Sequence, residues 1–320
     1  MTLLLGANLP DLDVLAYLDG PNADLAFRRG WTHGVLALAL LPVGLTAAML
    51  GLDRLIRRLR RATLPSTAVP RQILILSYLS VLTHPALDTL NTYGVRWLMP
   101  FSGRWFYGDA LFIVDPWVWL ALALGAILAR ARRARGAFST RGTRPARFAL
   151  ALTLAYALAM AASGIAARDI AAREIAELSG AAVESSMAGP VAFDPMIRRV
   201  IAVQPGSYRA ATFRWARRPH LDPASVQVFP RGRPADPAVA AAEATPAVRR
   251  FLVWTRFPVY EVETGSDGTT LVHLVDLRYA TRPGTGFGTV SVPVRPSGAS
   301  APSPGSSAPS SSGGRAARVP

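Results

Sequence analysis

The sequence contains no cysteine and no lysine. Without cysteine there is neither a disulfide framework nor a thiolate metal site, and redox compartment leaves no mark on the chain. Without lysine, the formal charge of +15 rests on arginine alone. Histidine is scarce, with four in 320 residues, so imidazole chemistry is confined to His33, His84, His220 and His273. The chain also lacks a GxSxG nucleophile elbow, a phosphate-binding P-loop and a dinucleotide glycine fingerprint, which removes three common enzyme signatures. The PGTGFG run at 283–288 has turn spacing only. A basic chain can signal nucleic acid, but these arginines border apolar runs. That pattern belongs to membrane topology, and nucleic acid is not an expected partner.

Apolar residues make up 51% of the chain. Residues 35–52 and 148–167 carry no charge, and each is long enough to cross about 30 Å of hydrocarbon. Residues 73–90 and 110–129 are as long but contain His84, Asp88 and Asp115. Four such runs separated by arginine-rich loops predict an all-α polytopic membrane bundle of about four transmembrane helices over residues 1–167, with the lipid bilayer as partner. A helical stretch, ARDIAAREIAEL, opens the next region, and Ser179-Gly180 should stop it. Beyond Pro190, IRRVIAV, YRAATFRW, RFLVWTRF, YEVET and TLVHLVDLRYA read as strands, so 168–294 is expected to be a small β-rich soluble domain. The Ser/Pro/Gly-rich tail, 295–320, has too few apolar residues to fold and is expected to be disordered. The opening MTLLLGANL is too short for a span and lacks a signal peptide's basic flank; it reads as the end of a helix that begins upstream of Met1.

Arginine orients the bundle. Arg54, Arg57, Arg58, Arg60, Arg61 and Arg71 follow the first run, and Arg130, Arg132, Arg133, Arg135, Arg141, Arg144 and Arg147 follow the third; only Arg96 and Arg104 lie between the second and third. The positive-inside rule makes the two rich loops cytoplasmic, which places residues 1–34, 91–109 and everything after about 168 outside the inner membrane. With that orientation, Asp11, Asp13, His33, His84, Asp88 and Asp115 all fall at the outer surface. His84 and Asp88, four apart, share a helical face, and Pro85 between them can open space by bending the helix. Ionisable groups in a span are costly and point to function. A His/carboxylate set without cysteine suits Zn²⁺ or Mn²⁺.

Each residue also has a plainer reading. Asp-x-Asp is common in loops, and His33 can be an interfacial residue satisfied by water. Asp115 before Pro116 suits a helix N-cap, and Asp109 after Gly108 does likewise. Arg96 and Arg104 can snorkel to headgroups or bind an anion over the site. His220 and His273 lack ligand-type neighbours, and structural roles are expected for both.

In residues and order, LPDLD, RRGWTHG and HPALDTLNTYGVRWLMPFSGRWFYGDALFIVDPW resemble the LexA-regulated, membrane-bound metal-dependent hydrolase family. The likeness covers roughly residues 5–130, with RFPVYEVE and HLVDLRY resembling its less distinctive C-terminal part. It implies a helical membrane fold and a metal-assisted hydrolysis. Members usually open with a Thr-His segment ahead of the LPDLD equivalent; this sequence has none, so either the start lies upstream or one ligand is missing. Asp11, Asp13, His33, His84 and Asp88 would be metal ligands, Asp115 a further ligand or base, and Arg104 a stabiliser of negative charge. A phosphoester or lipid-linked substrate at the membrane surface follows from the location. The rival reading is an ion or proton relay in a transporter or sensor, built from the same residues with no bond broken. Oligomeric state leaves no sequence signal.

Overall fold

The structure is a computed structural model of the chain, describing all residues except 21, 62–65, 136–139, 217, 267–268, 285 and 295–320. The tail expected to be disordered therefore lies outside the described residues.

The N-terminal half is helical. A short helix α1 (Thr2–Asn8) leads into a 3₁₀ stretch (Pro10–Asp19) and a one-turn helix α2 (Ala23–Phe27). Four longer helices follow: α3 (Val35–Leu59), α4 (Pro70–Thr89), α5 (Pro116–Ala134) and α6 (Thr140–Ser179). Contacts show antiparallel pairs. Thr46 of α3 meets Ser77 of α4, while His33, just before α3, meets Asp88 near the end of α4. Gly125 of α5 lies against Ala149 of α6, and Asp115 before α5 meets Tyr156. Both arginine-rich segments that follow α3 and α5 thus lie at the end away from His33, Asp88 and Asp115.

Among the described residues two helices, not four, are long and apolar enough to cross a membrane: Val35–Leu59 and Gly142–Ser179. The reason is local polarity. Helix α4 carries Arg71, Gln72, Ser77, Ser80, Thr83, His84 and Asp88. Residues 110–115 precede the first turn of α5, and Arg130, Arg132 and Arg133 fill its last. Helix α6 is also longer than the apolar run predicted. It continues unbroken through ARDIAAREIAEL to Ser179, where Gly180 takes a positive φ of 67°.

The C-terminal half holds two antiparallel sheets. Strands β1 (Ser185–Val191), β2 (Asp194–Gln204), β3 (Ser207–Arg214) and β4 (His220–Pro230) form a meander. Helices α7 (Pro237–Glu243) and α8 (Pro246–Trp254) lead to the second sheet of β5 (Pro258–Thr264), β6 (Thr270–Asp276) and β7 (Thr289–Val294). The strand expected at RFLVWTRF is instead mostly α8. Thr245 caps it, Pro246 opens it, and Val248, Phe251 and Trp254 recur at three-residue spacing on one buried face.

Three cores join these layers. Ala167, Ala171 and Ile175 of α6 pack on Val200, Ala202, Phe213 and Leu221 of the first sheet. Phe251, Trp254, Val272 and Leu274 form the second core, which also takes Leu25 and Tyr93 from the helical half. Met187, Ile201 and Tyr208 meet Phe257 and Leu277 between the sheets. Each fully buried aliphatic or aromatic side chain contributes roughly 1.5–3 kcal/mol, so the two halves are joined by packing as well as by chain. Arg198 adds a polar tie: from β2 it donates to the carbonyls of Asp109, Ala110 and Met160 and to Ser163.

Candidate metal centre

Five of the predicted residues meet at one point, at the start of α3 and the end of α4. Helix α4 continues past Pro85 to Thr89, which holds Asp88 one turn beyond His84. Helix α1 packs beside α4, and the carbonyl of Ala7 lies 2.6 Å from His84 Nδ1. A carbonyl only accepts, so this contact places the ring proton on Nδ1 and leaves the Nε2 lone pair free. His33, fully buried, has Nδ1 2.9 Å from the Thr32 hydroxyl and 3.4 Å from Asp13 Oδ2. Its Nε2 also turns inward. The two rings lie 5.2 Å apart between centroids.

What these atoms face is each other. Asp88 Oδ2 lies 3.4 Å from His33 Nε2 and 3.3 Å from His84 Nε2, and Asp11 Oδ1 is 3.5 Å from His84 Nε2. None of His33 Nε2, His84 Nε2 and Asp88 Oδ2 has a hydrogen-bond partner, although all three are buried. Leaving a buried polar atom unpaired costs about 1–3 kcal/mol, and a shared ligand at the spot where these three converge would offset that cost. Two ligands about 2.1 Å from one ion at a tetrahedral angle sit about 3.4 Å apart. The observed separations match that spacing, and the ligand atoms of Asp11, His33 and His84 lie within 4.8 Å of one another. Two imidazoles and two carboxylates are a donor set suited to Zn²⁺ or Mn²⁺.

The surrounding groups orient these four. Asp13, buried, receives the Arg29 backbone N–H at 2.8 Å and the Thr32 hydroxyl at 2.9 Å through Oδ2, which also backs His33, while its Oδ1 has no hydrogen-bond partner. Arg29 donates to Asp88 Oδ1 at 2.9 Å and to Asn91 at 2.9 Å, and lies over the Tyr93 ring. Arg28 bridges Asp11 and Asp13 at 3.6 and 3.5 Å. Sequence reasoning did not single out Ala7, Arg28, Arg29, Thr32 or Asn91. The RRGWTHG and TLNTYG runs contained four of them, but nothing in the spacing separates a supporter from a turn residue.

Other predicted residues lie elsewhere. Asp115 caps α5, accepting from the N–H groups of Trp117 and Val118 and from Tyr156, and has no contact with the five; among its readings, the structure realises the cap. Asp109 is not a cap: it pairs with Arg256 at 2.9 Å. Arg104 is exposed, over the Phe106 ring. Arg96 is buried, its guanidinium stacked on the Trp105 ring, and its Nη2 donates to the carbonyls of Ala26 and Arg28. Gly30 has no side chain because that guanidinium occupies the space a Cβ would need. His273 and His220 play local parts, the first beside Ser291 and the second at the carbonyl of Arg218.

No curated protein and no solved structure matches the chain. The family described as YdjM inner membrane protein matches residues 1–169, just over half the chain and all five clustered residues. That description carries a membrane location and no reaction. With its apolar helices and this match, the chain belongs to the YdjM inner membrane protein family.

Proposed function

We propose that the protein is a metal-dependent hydrolase of the inner membrane, acting at the outer face on a phosphoester or lipid-linked substrate. The observation that carries this reading is the convergence of His33 Nε2, His84 Nε2 and Asp88 Oδ2, buried and unpartnered, with Asp11 Oδ1 beside them. Asp11, His33, His84 and Asp88 would hold the ion. When bound, a divalent ion supplies Lewis acidity that acidifies water and polarises a scissile bond. The chain's own residues do the rest. Ala7 and Asp13 fix the imidazole orientations, Arg29 holds Asp88, and Asp11, the most open of the carboxylates, is the group best placed to take a proton from incoming water.

The outer face follows from arginine, since both rich segments lie at the opposite helix ends, and the C-terminal sheets then lie outside as well. Zinc and manganese content of purified protein, measured with hydrolysis of a phosphodiester reporter, tests the reading. One equivalent of metal and turnover abolished by chelation are expected. Folded protein that stays metal-free after incubation with either ion would sink it and favour the ion or proton relay, whose signature is flux without turnover.

A further inference from the structure

The centre is closed on most sides. The side chains of His33 and Asp13 are fully buried and those of His84 and Asp88 are 15% exposed, whereas Arg28 is 26% and Asp11 42% exposed. A ligand therefore arrives on the side of Arg28 and Asp11. Arg28 has an unusual standing there. Its backbone is fixed, the N–H donating to the Asp24 carbonyl and its own carbonyl accepting from Arg96. Among the described residues its guanidinium is held only by the two carboxylate contacts of 3.5–3.6 Å, and its Nε is buried without a hydrogen-bond partner. By contrast Arg29, whose Nε is likewise unpaired, donates from both Nη atoms at 2.9 Å, to Asn91 and Asp88.

Charge points the same way. Three carboxylates face two guanidiniums, so a divalent ion with neutral imidazoles leaves one positive charge in excess, which favours an anion. The approach is apolar. Phe27 and Trp31, on either side of Arg28 in the chain, are exposed and stacked with centroids 6.5 Å apart. The 3₁₀ stretch carrying Asp11 exposes Leu12, Leu15 and Leu18. Exposed aromatic and aliphatic side chains at the end of a membrane-length helix suit the headgroup boundary.

We propose that Arg28 is the anion-binding side chain of this centre and that its ligand is a phosphate group presented at the membrane surface on a lipid. The inference rests on the hydrolase reading. Arg104, which the sequence offered for this role, is exposed and has no contact with the cluster. A guanidinium fork grips two phosphate oxygens, and lysine keeps the charge without the fork.

The test uses the full chain in a phosphate-free maltoside detergent, with wild type, Arg28→Ala and Arg28→Lys. Zinc content is measured beside calorimetric binding of inorganic phosphate and of dioctanoyl phosphatidic acid, with zinc and after chelation. Arg28→Ala should keep its zinc and bind both probes at least about tenfold more weakly, with Arg28→Lys in between. The lipid should bind wild type more tightly than inorganic phosphate; equal affinities would overturn the lipid source. Wild-type affinity in zinc-loaded Arg28→Ala would overturn the assignment, as would zinc lost in step with phosphate in both variants, which marks a structural role. If wild type takes no zinc yet binds phosphate through Arg28, the metal reading falls and the anion site stands. Should Arg28→Ala fail to fold, Arg28→Lys decides by the same criteria.

Discussion

Asp276 and Asp88 are both largely buried carboxylates facing an arginine, but they differ in what is left over. Asp276 takes hydrogen bonds from Arg278 Nε and Nη2, from the backbone N–H groups of Arg256 and Arg278, and from the Thr255 hydroxyl. Arg278 spends its remaining donors on the carbonyls of Thr92, Tyr93 and Trp254. Nothing in that pair is unpaired. Asp88 engages Arg29 through one oxygen and leaves the other facing two imidazoles without a hydrogen bond. A saturated buried pair locks parts together, and an unsaturated one keeps room for something else. The difference separates a joint from a site more sharply than burial or charge alone.

Breaking the joint should have the largest effect. Asp276→Ala leaves Arg278 buried and uncompensated, which costs about 3–5 kcal/mol. The yield of folded protein and its melting temperature should fall steeply. Burial pushes the Asp276 carboxyl up, but Arg278 beside it outweighs this and holds it below its ordinary range. Its stabilisation is therefore complete above the unfolded value of about 3.9 and is lost only as pH falls through the lower folded value. Metal held by imidazoles must leave earlier, because protons compete for the ligand nitrogens. An acid titration should release zinc well before the tryptophan fluorescence of the sheets changes; simultaneous loss would erase the contrast.

His84→Ala should abolish stoichiometric zinc while changing the melting temperature of metal-free protein little; Asp88→Ala should also abolish it but lower that melting temperature, since buried Arg29 loses its carboxylate, and the double variant should lose little more zinc, since ligands of one ion act as a unit. Equal destabilisation of the metal-free protein by these changes and by Asp276→Ala would mean that both clusters are joints. Asp13→Asn should weaken zinc about 10–100-fold, as expected for a group that orients a ligand. Asp115→Asn is the smallest change. Asn still caps a helix, so zinc should be retained and stability should shift by under about 1 kcal/mol.

These contrasts also mark what could be read in advance. His84 and Asp88 were legible because four residues is a helical repeat, and His33 because loop arginines placed it at the same end. Asp11 and Asp13 were legible as a pair but not by partner: the 3₁₀ stretch points Asp11 at His84 Nε2 and Asp13 at His33 Nδ1. Arg29 was hidden because its partner Asp88 is 59 positions away and its own positive φ of 51° is a turn feature. Asp115 looked like a ligand because the loop arginines placed it at the same outer end, and like a cap because it is an acid before proline at a helix start; the orientation alone could not separate the two. Strands β2, β3, β5 and β6 followed from β-branched and aromatic runs, and β1, β4 and β7 were not singled out; in RFLVWTRF, capping by Thr245 and Pro246 overrode residue type.

Helix α6 has a mechanical consequence. Its charge-free stretch, 148–167, measures about 30 Å at 1.5 Å per residue, the thickness of a hydrocarbon layer. The next twelve residues, from Arg168 to Ser179, continue the same rod with no joint. Ala167, Ala171 and Ile175 are clamped into the first sheet. Placed across a bilayer, the rod acts as a gauge rod with a fixed stop. The sheet meets the rod over the outer turns of that stretch, where Arg198 donates to Met160 and Ser163, and the same arginine pins it sideways to the loop at Asp109 and Ala110. The folded half therefore cannot drift away on a tether. In that placement it would ride at a set height over the membrane plane and move with the rod.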